Sequence, residues 1–343
     1  MEQSEESCFV APNFEHFYGK LSLIVSGPIS TFTILFGVVG NVCSVFLVSN
    51  FQIGKELLCH LLCLAAWDTA VLLCGLGFYS LHATLTILKK ESHSIVFTFL
   101  TMVLNGPSTT AMTGSIWTVV NITIARYLAV SAPFQHRAGA TKRRALCISL
   151  FIAVFSFAFT SPRYMELEIS TCLVDNRTLK KEVAPTKLRT DSRYQLYYRS
   201  ILCSLFVSLF PFVVISILSS RMLWILHKSF REAVANAALS TVIFHRTAHL
   251  RRIRRLERRI TVLMLVLLGK FLFCYSLPTI LNIFELIKGK QVFKLIYFSL
   301  LADLSNYLVV VNSATNFIVY FWWRRTRERT DRGRRFYYTH SLR

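Results

Sequence analysis

A chain of 343 residues that is 53% hydrophobic and 17% charged, with a mean hydropathy of +0.47, carries too little charge to cover the two or three soluble domains its length would otherwise suggest. Its formal charge of +21 invites a nucleic-acid reading, yet the Lys and Arg concentrate in short connections between apolar runs and at the C-terminus. That placement follows the positive-inside pattern of membrane proteins, so the lipid bilayer with its anionic head groups is the expected partner, and no nucleic acid is expected.

In chain order, residues 1–20 read as an acidic extracellular segment without a signal peptide, so the first span is expected to act as its own anchor. Apolar runs then predict spans at 21–49, 57–86, 95–129, 144–162, 198–222, 260–284 and 295–322. Runs of this length match a hydrocarbon core of roughly 30 Å, where every backbone amide must be paired internally and helices are the natural solution. The fold expected is all-α, a seven-transmembrane helix bundle over 21–322, followed by a basic tail over 323–343 that can form a short amphipathic helix.

Polar islands mark these spans. The second carries Asp68 with no basic neighbour in sequence, and the third is interrupted by Asn105-Gly106-Pro107-Ser108-Thr109-Thr110, small polar residues of the kind that face other helices. Asn41, Ser115, Asn312, Ser313 and Asn316 lie at comparable depth and could serve Asp68 as donors or, with it, form a pocket for water or a small cation. Arg126 closes the third span, either snorkelling to the head groups or held by an acidic partner such as Glu257 in one state and released in another. Before the sixth span, Leu250, Ile253, Leu256 and Ile260 recur at helical spacing between arginines. They make an amphipathic extension into the cytosol that lies on lipid or binds a partner.

Lys and Arg number 23 in the segments 50–57, 131–145, 221–259 and 324–343, against 14 in the alternate set, which places the N-terminus outside and the C-terminus in the cytosol. Asn176-Arg177-Thr178, in the longest outer segment, is a glycosylation acceptor, whereas Asn121-Ile122-Thr123 has the same pattern inside a span. Cys8 and Cys172 fall in outer segments where disulfides persist. The nine cysteines show no metal-binding spacing.

Taken in order, Gly40-Asn41-Val42, Leu64-Ala65-Ala66-Trp67-Asp68, Ala125-Arg126-Tyr127, Phe271-Leu272-Phe273-Cys274-Tyr275 and Asn316-Phe317-Ile318-Val319-Tyr320 resemble the motif series of the rhodopsin-like G-protein-coupled receptors. The resemblance covers roughly residues 25 to 330 and implies a plasma-membrane receptor and not an enzyme. It implies a sodium-and-water pocket at Asp68, Ser115, Asn312, Ser313 and Asn316; no cofactor is expected beyond a sodium ion that this pocket could hold. It also implies activation and G-protein coupling through Arg126, Tyr127, Glu257, Tyr275 and Tyr320. The sequence departs from the family at Ala125, which removes an acid beside Arg126, and at Tyr275 and Phe317, which replace tryptophan and proline. Pro278 lies one residue late. Thr101 stands where the family's third-span cysteine is expected, leaving Cys8 or a free thiol as the options for Cys172.

Ser161-Pro162-Arg163-Tyr164-Met165-Glu166, together with Tyr197-Tyr198-Arg199, further resembles invertebrate, nematode-type receptors for FMRFamide-like neuropeptides. An extracellular amidated peptide and a heterotrimeric G protein are the partners this implies. A chemosensory receptor of related sequence is the alternative, and a transporter is a more distant one, for which an internal repeat is missing. Ser108 and Val310 stand where an aminergic receptor would carry an acid and an opsin its lysine. Among the outer acids Glu166, Glu168, Asp175, Glu182, Asp191, Glu285 and Asp303, most read as solvated loop charges, and Glu166 and Glu168 are the candidates to meet a cationic ligand.

Overall fold

The computed structural model describes residues 17–51, 53–87, 94–132, 141–174, 178–237, 246–288 and 298–326. Within them run seven long helices: α1 (17–49), α2 (55–87), α3 (Ser94–Ser131), α4 (Lys142–Thr160), α5 (192–237), α6 (Arg246–Lys288) and α7 (Phe298–Ala314). A break at Thr315 separates α7 from its continuation over 316–326. The basic stretch before the sixth apolar run is continuous with it, so α6 reaches 43 residues.

Burial is arranged inside out. Phe32, Phe151 and Phe273 are 74, 71 and 72% exposed on the outer surface, while Thr113, Ser115, Thr118, Thr123, Asn312, Ser313 and Asn316 are buried. Water would penalise such a surface, whereas lipid tails cover it and leave polar side chains to join helices. Five helices are long and apolar enough to cross a membrane by composition alone, at 19–49, 55–75, 142–165, 194–229 and 258–284. α7 falls short in length, its helix being 17 residues, and α3 in hydropathy, because polar residues such as Asn105, Ser108, Thr109 and Thr110 dilute its apolar run.

Local chemistry sets the bends. Pro28 lacks an N–H, and α1 widens over Val25–Ile29. The Gly27 carbonyl accepts from Ser80 Oγ at 3.0 Å, and Thr31 Oγ1 lies 2.6 Å from Ser80 Oγ, joining α1 to α2. Thr141 caps α4 by accepting from the Arg144 N–H at 3.2 Å. α3 packs against α2, α4 and α5 and is the centre of the bundle.

Between α4 and α5 the chain makes a 3-10 turn, Ser161–Met165, then an antiparallel hairpin of β1 (Leu167–Val174) and β2 (Thr178–Pro185), with Leu167 opposite Pro185 and Val174 opposite Thr178. The hairpin lies against the outer part of α3. The hydropathy pattern gives this stretch only as a connection, because strand pairing is not written in apolar periodicity.

Candidate functional site

Halfway down the bundle, Asp68 is fully buried. Its Oδ1 accepts from Ser115 Oγ at 2.7 Å and Ser313 Oγ at 3.1 Å, and its Oδ2 accepts from Asn316 Nδ2 at 2.6 Å. Asn41 joins the group from α1 by donating to the Ser313 carbonyl at 3.2 Å. Asn312 contributes its carbonyl, which accepts from a residue absent from the sequence expectations. The Lys270 ammonium of α6 donates to that carbonyl at 2.6 Å, to Asn316 Oδ1 at 2.5 Å and to Thr315 Oγ1 at 3.4 Å. A lysine inside the apolar run Leu267-Leu268-Gly269-Lys270-Phe271 is as costly in hydrocarbon as Asp68, and that was the signal available to find it.

Toward the outer side, a cavity of about 270 Å³ opens between the helices, lined among others by Thr113, Arg163, Arg199, Ser204, Asn282 and Asn306, with Tyr275 and Pro278 of α6 in its wall. The interrupted stretch of α3 builds one side of it. Gly106 lets the Tyr164 ring approach so closely that a Cβ there would stand 2.5 Å from it, Asn105 Nδ2 donates to the Arg163 carbonyl at 2.8 Å, and Thr110 Oγ1 lies 2.5 Å from Thr160 Oγ1. These contacts hold the turn that carries Arg163 and Glu166.

Glu166 is 1% exposed, with Arg163 Nη1 at 3.2 Å, Arg199 Nη1 at 4.0 Å and the Tyr194 hydroxyl donating to it at 2.8 Å. Its carboxylate thus lies between two guanidinium groups that line the cavity. Glu168 is exposed on β1. Arg189, in the turn Lys187–Thr190, adds to the positive field; burial and then the Arg199 guanidinium hold it below the usual arginine range. Glu166→Ala is therefore expected to lower the melting temperature of the purified protein, because deleting one partner of a buried pair costs about 3–5 kcal/mol. Arg199 is 35% exposed and solvent screens its share, placing the loss at the lower end. An unchanged melting temperature would show that the cluster is not holding the turn.

Below Asp68 an apolar layer of Leu61, Leu64, Val119, Ile122, Met264, Leu267, Leu268 and Phe271, with Asn312 and Asn316 on its border, surrounds only about 20 Å³, room for about one water. Phe271 stacks on Tyr275 with ring centroids 4.3 Å apart, so the cavity wall and this layer are in contact through one helix. Beneath the layer, Tyr320 is buried with Ile260 and Met264, its ring 6.4 Å from Phe51. Arg126 is 7% exposed at the end of α3, with Tyr127 half-buried beside it. Glu257 lies on α6, but its side chain falls outside the described residues, as do Cys8, Asn176 and the side chain of Cys172 on β1. Asn121 is turned toward α2, its Nδ2 3.2 Å from His60 ring nitrogens, which puts it out of reach as a glycosylation acceptor.

Residues 31–320 match the 7 transmembrane receptor (rhodopsin family). Among curated proteins, the chain is 25% identical over 311 residues to the FMRFamide receptor of Drosophila melanogaster, covering 88% of this chain and 52% of that protein. It is 24% identical over 323 residues to the probable G-protein coupled receptor frpr-1 of Caenorhabditis elegans, covering 89% and 77% of the two chains. It is 26% identical over 297 residues to the FMRFamide peptide receptor frpr-18 of the same animal, covering 84% and 64%. The chain thus spans about half the length of the Drosophila protein.

Proposed function

The chain belongs to the rhodopsin family of seven-transmembrane receptors, and on that premise we propose that this multi-pass membrane protein is a receptor for a short amidated neuropeptide of the FMRFamide-like class, coupling peptide binding to a heterotrimeric G protein. The observation that carries this reading is the outer cavity lined by Arg163, Arg199 and Tyr275, with Glu166 behind it pairing with both arginines. Two guanidiniums compensated by one carboxylate leave donors in excess, suited to the carbonyl oxygens at an amidated C-terminus. At about 270 Å³ the cavity lies just below the roughly 300–1,000 Å³ of ordinary ligand pockets, which suits the end of a peptide. The remainder of the peptide, with its arginine, would lie outward, where Glu168 and Asp191 are exposed. The names of the Drosophila and Caenorhabditis relatives support the same class.

Signalling would be a population shift: a peptide touching Tyr275 favours a state in which α6 moves outward and the cytoplasmic ends of α3, α5 and α6 accept the G protein. In cells carrying a promiscuous G-protein readout, a library of amidated peptides is expected to contain a saturable agonist. Arg163→Gln or Arg199→Gln should raise its half-maximal concentration about tenfold or more, the value of one charge-assisted hydrogen bond, at unchanged surface expression. Equal potency in both variants, or silence across the library, would count against the peptide reading.

A further inference from the structure

We propose that Lys270 is the built-in cation of the Asp68 network: its ammonium takes the role that the family resemblance assigns to sodium, and it ties α6 to α7 at the Thr315 break. Asp68 needs a compensating positive charge where hydrocarbon surrounds the bundle. The Asn316 amide supplies the link, donating through Nδ2 to Asp68 at 2.6 Å while its Oδ1 accepts from Lys270 Nζ at 2.5 Å. Those two contacts fix which end of the amide is oxygen, since a carboxylate only accepts and an ammonium only donates.

The residues present do not fit a sodium ion. A hard cation requires several oxygen ligands, yet three of the roughly four lone-pair sites of Asp68 already accept hydrogen bonds, and Asn316 Oδ1 and the Asn312 carbonyl serve Lys270. A second positive charge there would be repelled by the ammonium through a medium of low dielectric. The lysine also has a mechanical role. It places three α7-side acceptors, the Asn312 carbonyl, Thr315 Oγ1 and Asn316 Oδ1, on one α6 side chain at the point where α7 breaks without a proline. Outward movement of α6 would have to give up those bonds. The same bonds restrain the resting state that Ala125 leaves without its neighbouring acid.

The test is thermal melting of the purified full chain in sodium against choline chloride, each at about 0.15 M, for the wild type and Lys270→Met. The wild type is expected to melt at the same temperature in both salts. Lys270→Met should gain a sodium-specific rise that Asp68→Asn in the same chain removes. If Lys270→Met does not fold, Lys270→Gln carries the same comparison. A sodium-specific rise in the wild type, or none in the folded variants, overturns the cation assignment. The mechanical role rests on the receptor reading and has its own readout: basal nucleotide exchange, without any peptide, should rise about tenfold in the folded variant, matching loss of one charge-assisted bond. Unchanged basal exchange alongside a gained sodium response would overturn the tether and leave the cation standing.

Discussion

Arg126→Ala is expected to reduce agonist-stimulated nucleotide exchange to the unstimulated level while peptide binding and surface expression stay near wild type. Arg126 is 7% exposed at the cytoplasmic end of α3, on the other side of the apolar layer around Ile122 and Met264 from the outer cavity. Arginine cannot shed its charge, so burying it requires compensating partners, and a switch is an element that exchanges such partners between two states. Simple snorkelling to head groups would leave it exposed. In the open state, proposed as α6 moving away from α3, the guanidinium becomes available to the G protein. Equal exchange in Arg126→Ala, at matched expression, would remove Arg126 from the coupling machinery.

Gly37→Val should lose most of its surface expression, the largest folding defect expected from adding one small side chain in the bundle. A Cβ at Gly37 would stand 2.6 Å from Ala314 Cα and 2.8 Å from Leu72 Cδ1, and Ala314 is fully buried. Backbone cannot step aside as a rotamer can, so α1 and α7 must separate, breaking the Asn41–Ser313 bond beside them. Overpacking of this kind costs about 1–3 kcal/mol or more, a large part of a marginal stability of roughly 5–15 kcal/mol. Gly40 makes the contrast: its Cβ would strike the Phe317 ring at 2.1 Å, so Gly40→Ala should be relieved by Phe317→Ala, whereas Gly37→Val should not. Gly269, which like Gly54 has nothing within 4 Å, is a position where alanine should be silent. Cell-surface immunodetection separates these outcomes.

The Gly40–Phe317 contact also shows how a departure from the family pattern is absorbed. Phenylalanine at the family's proline position fills the space over Gly40 and meets Phe36 edge-on at 5.0 Å. The break at Thr315 persists, with Lys270 holding its acceptors.

The spans themselves were legible because hydrocarbon demands long apolar runs, and Ser115 and Arg126 set the depth of the weakly apolar third helix. The group around Asp68 was legible as residue types at matching depth. Lys270 was not legible as a partner of Asp68, because a charge on another span is brought near only in three dimensions. The place of Glu166 was legible in the sequence, and its ion-pair partners were not. Sequence gives its position after α4, whereas the side chain's course toward Arg163, Arg199 and Tyr194 depends on how the turn docks on Asn105 and Gly106. The β1–β2 hairpin was invisible to hydropathy for the same reason, its register being set by pairing across the turn.

The most direct measurement is nucleotide exchange on a heterotrimeric G protein, with the purified chain reconstituted in lipid vesicles and challenged with amidated peptides, while ion and solute flux across the same vesicles is recorded. The account predicts saturable, peptide-dependent exchange that Arg163→Gln weakens and Arg126→Ala removes, with no peptide-dependent flux. Peptide-dependent flux without exchange would contradict it.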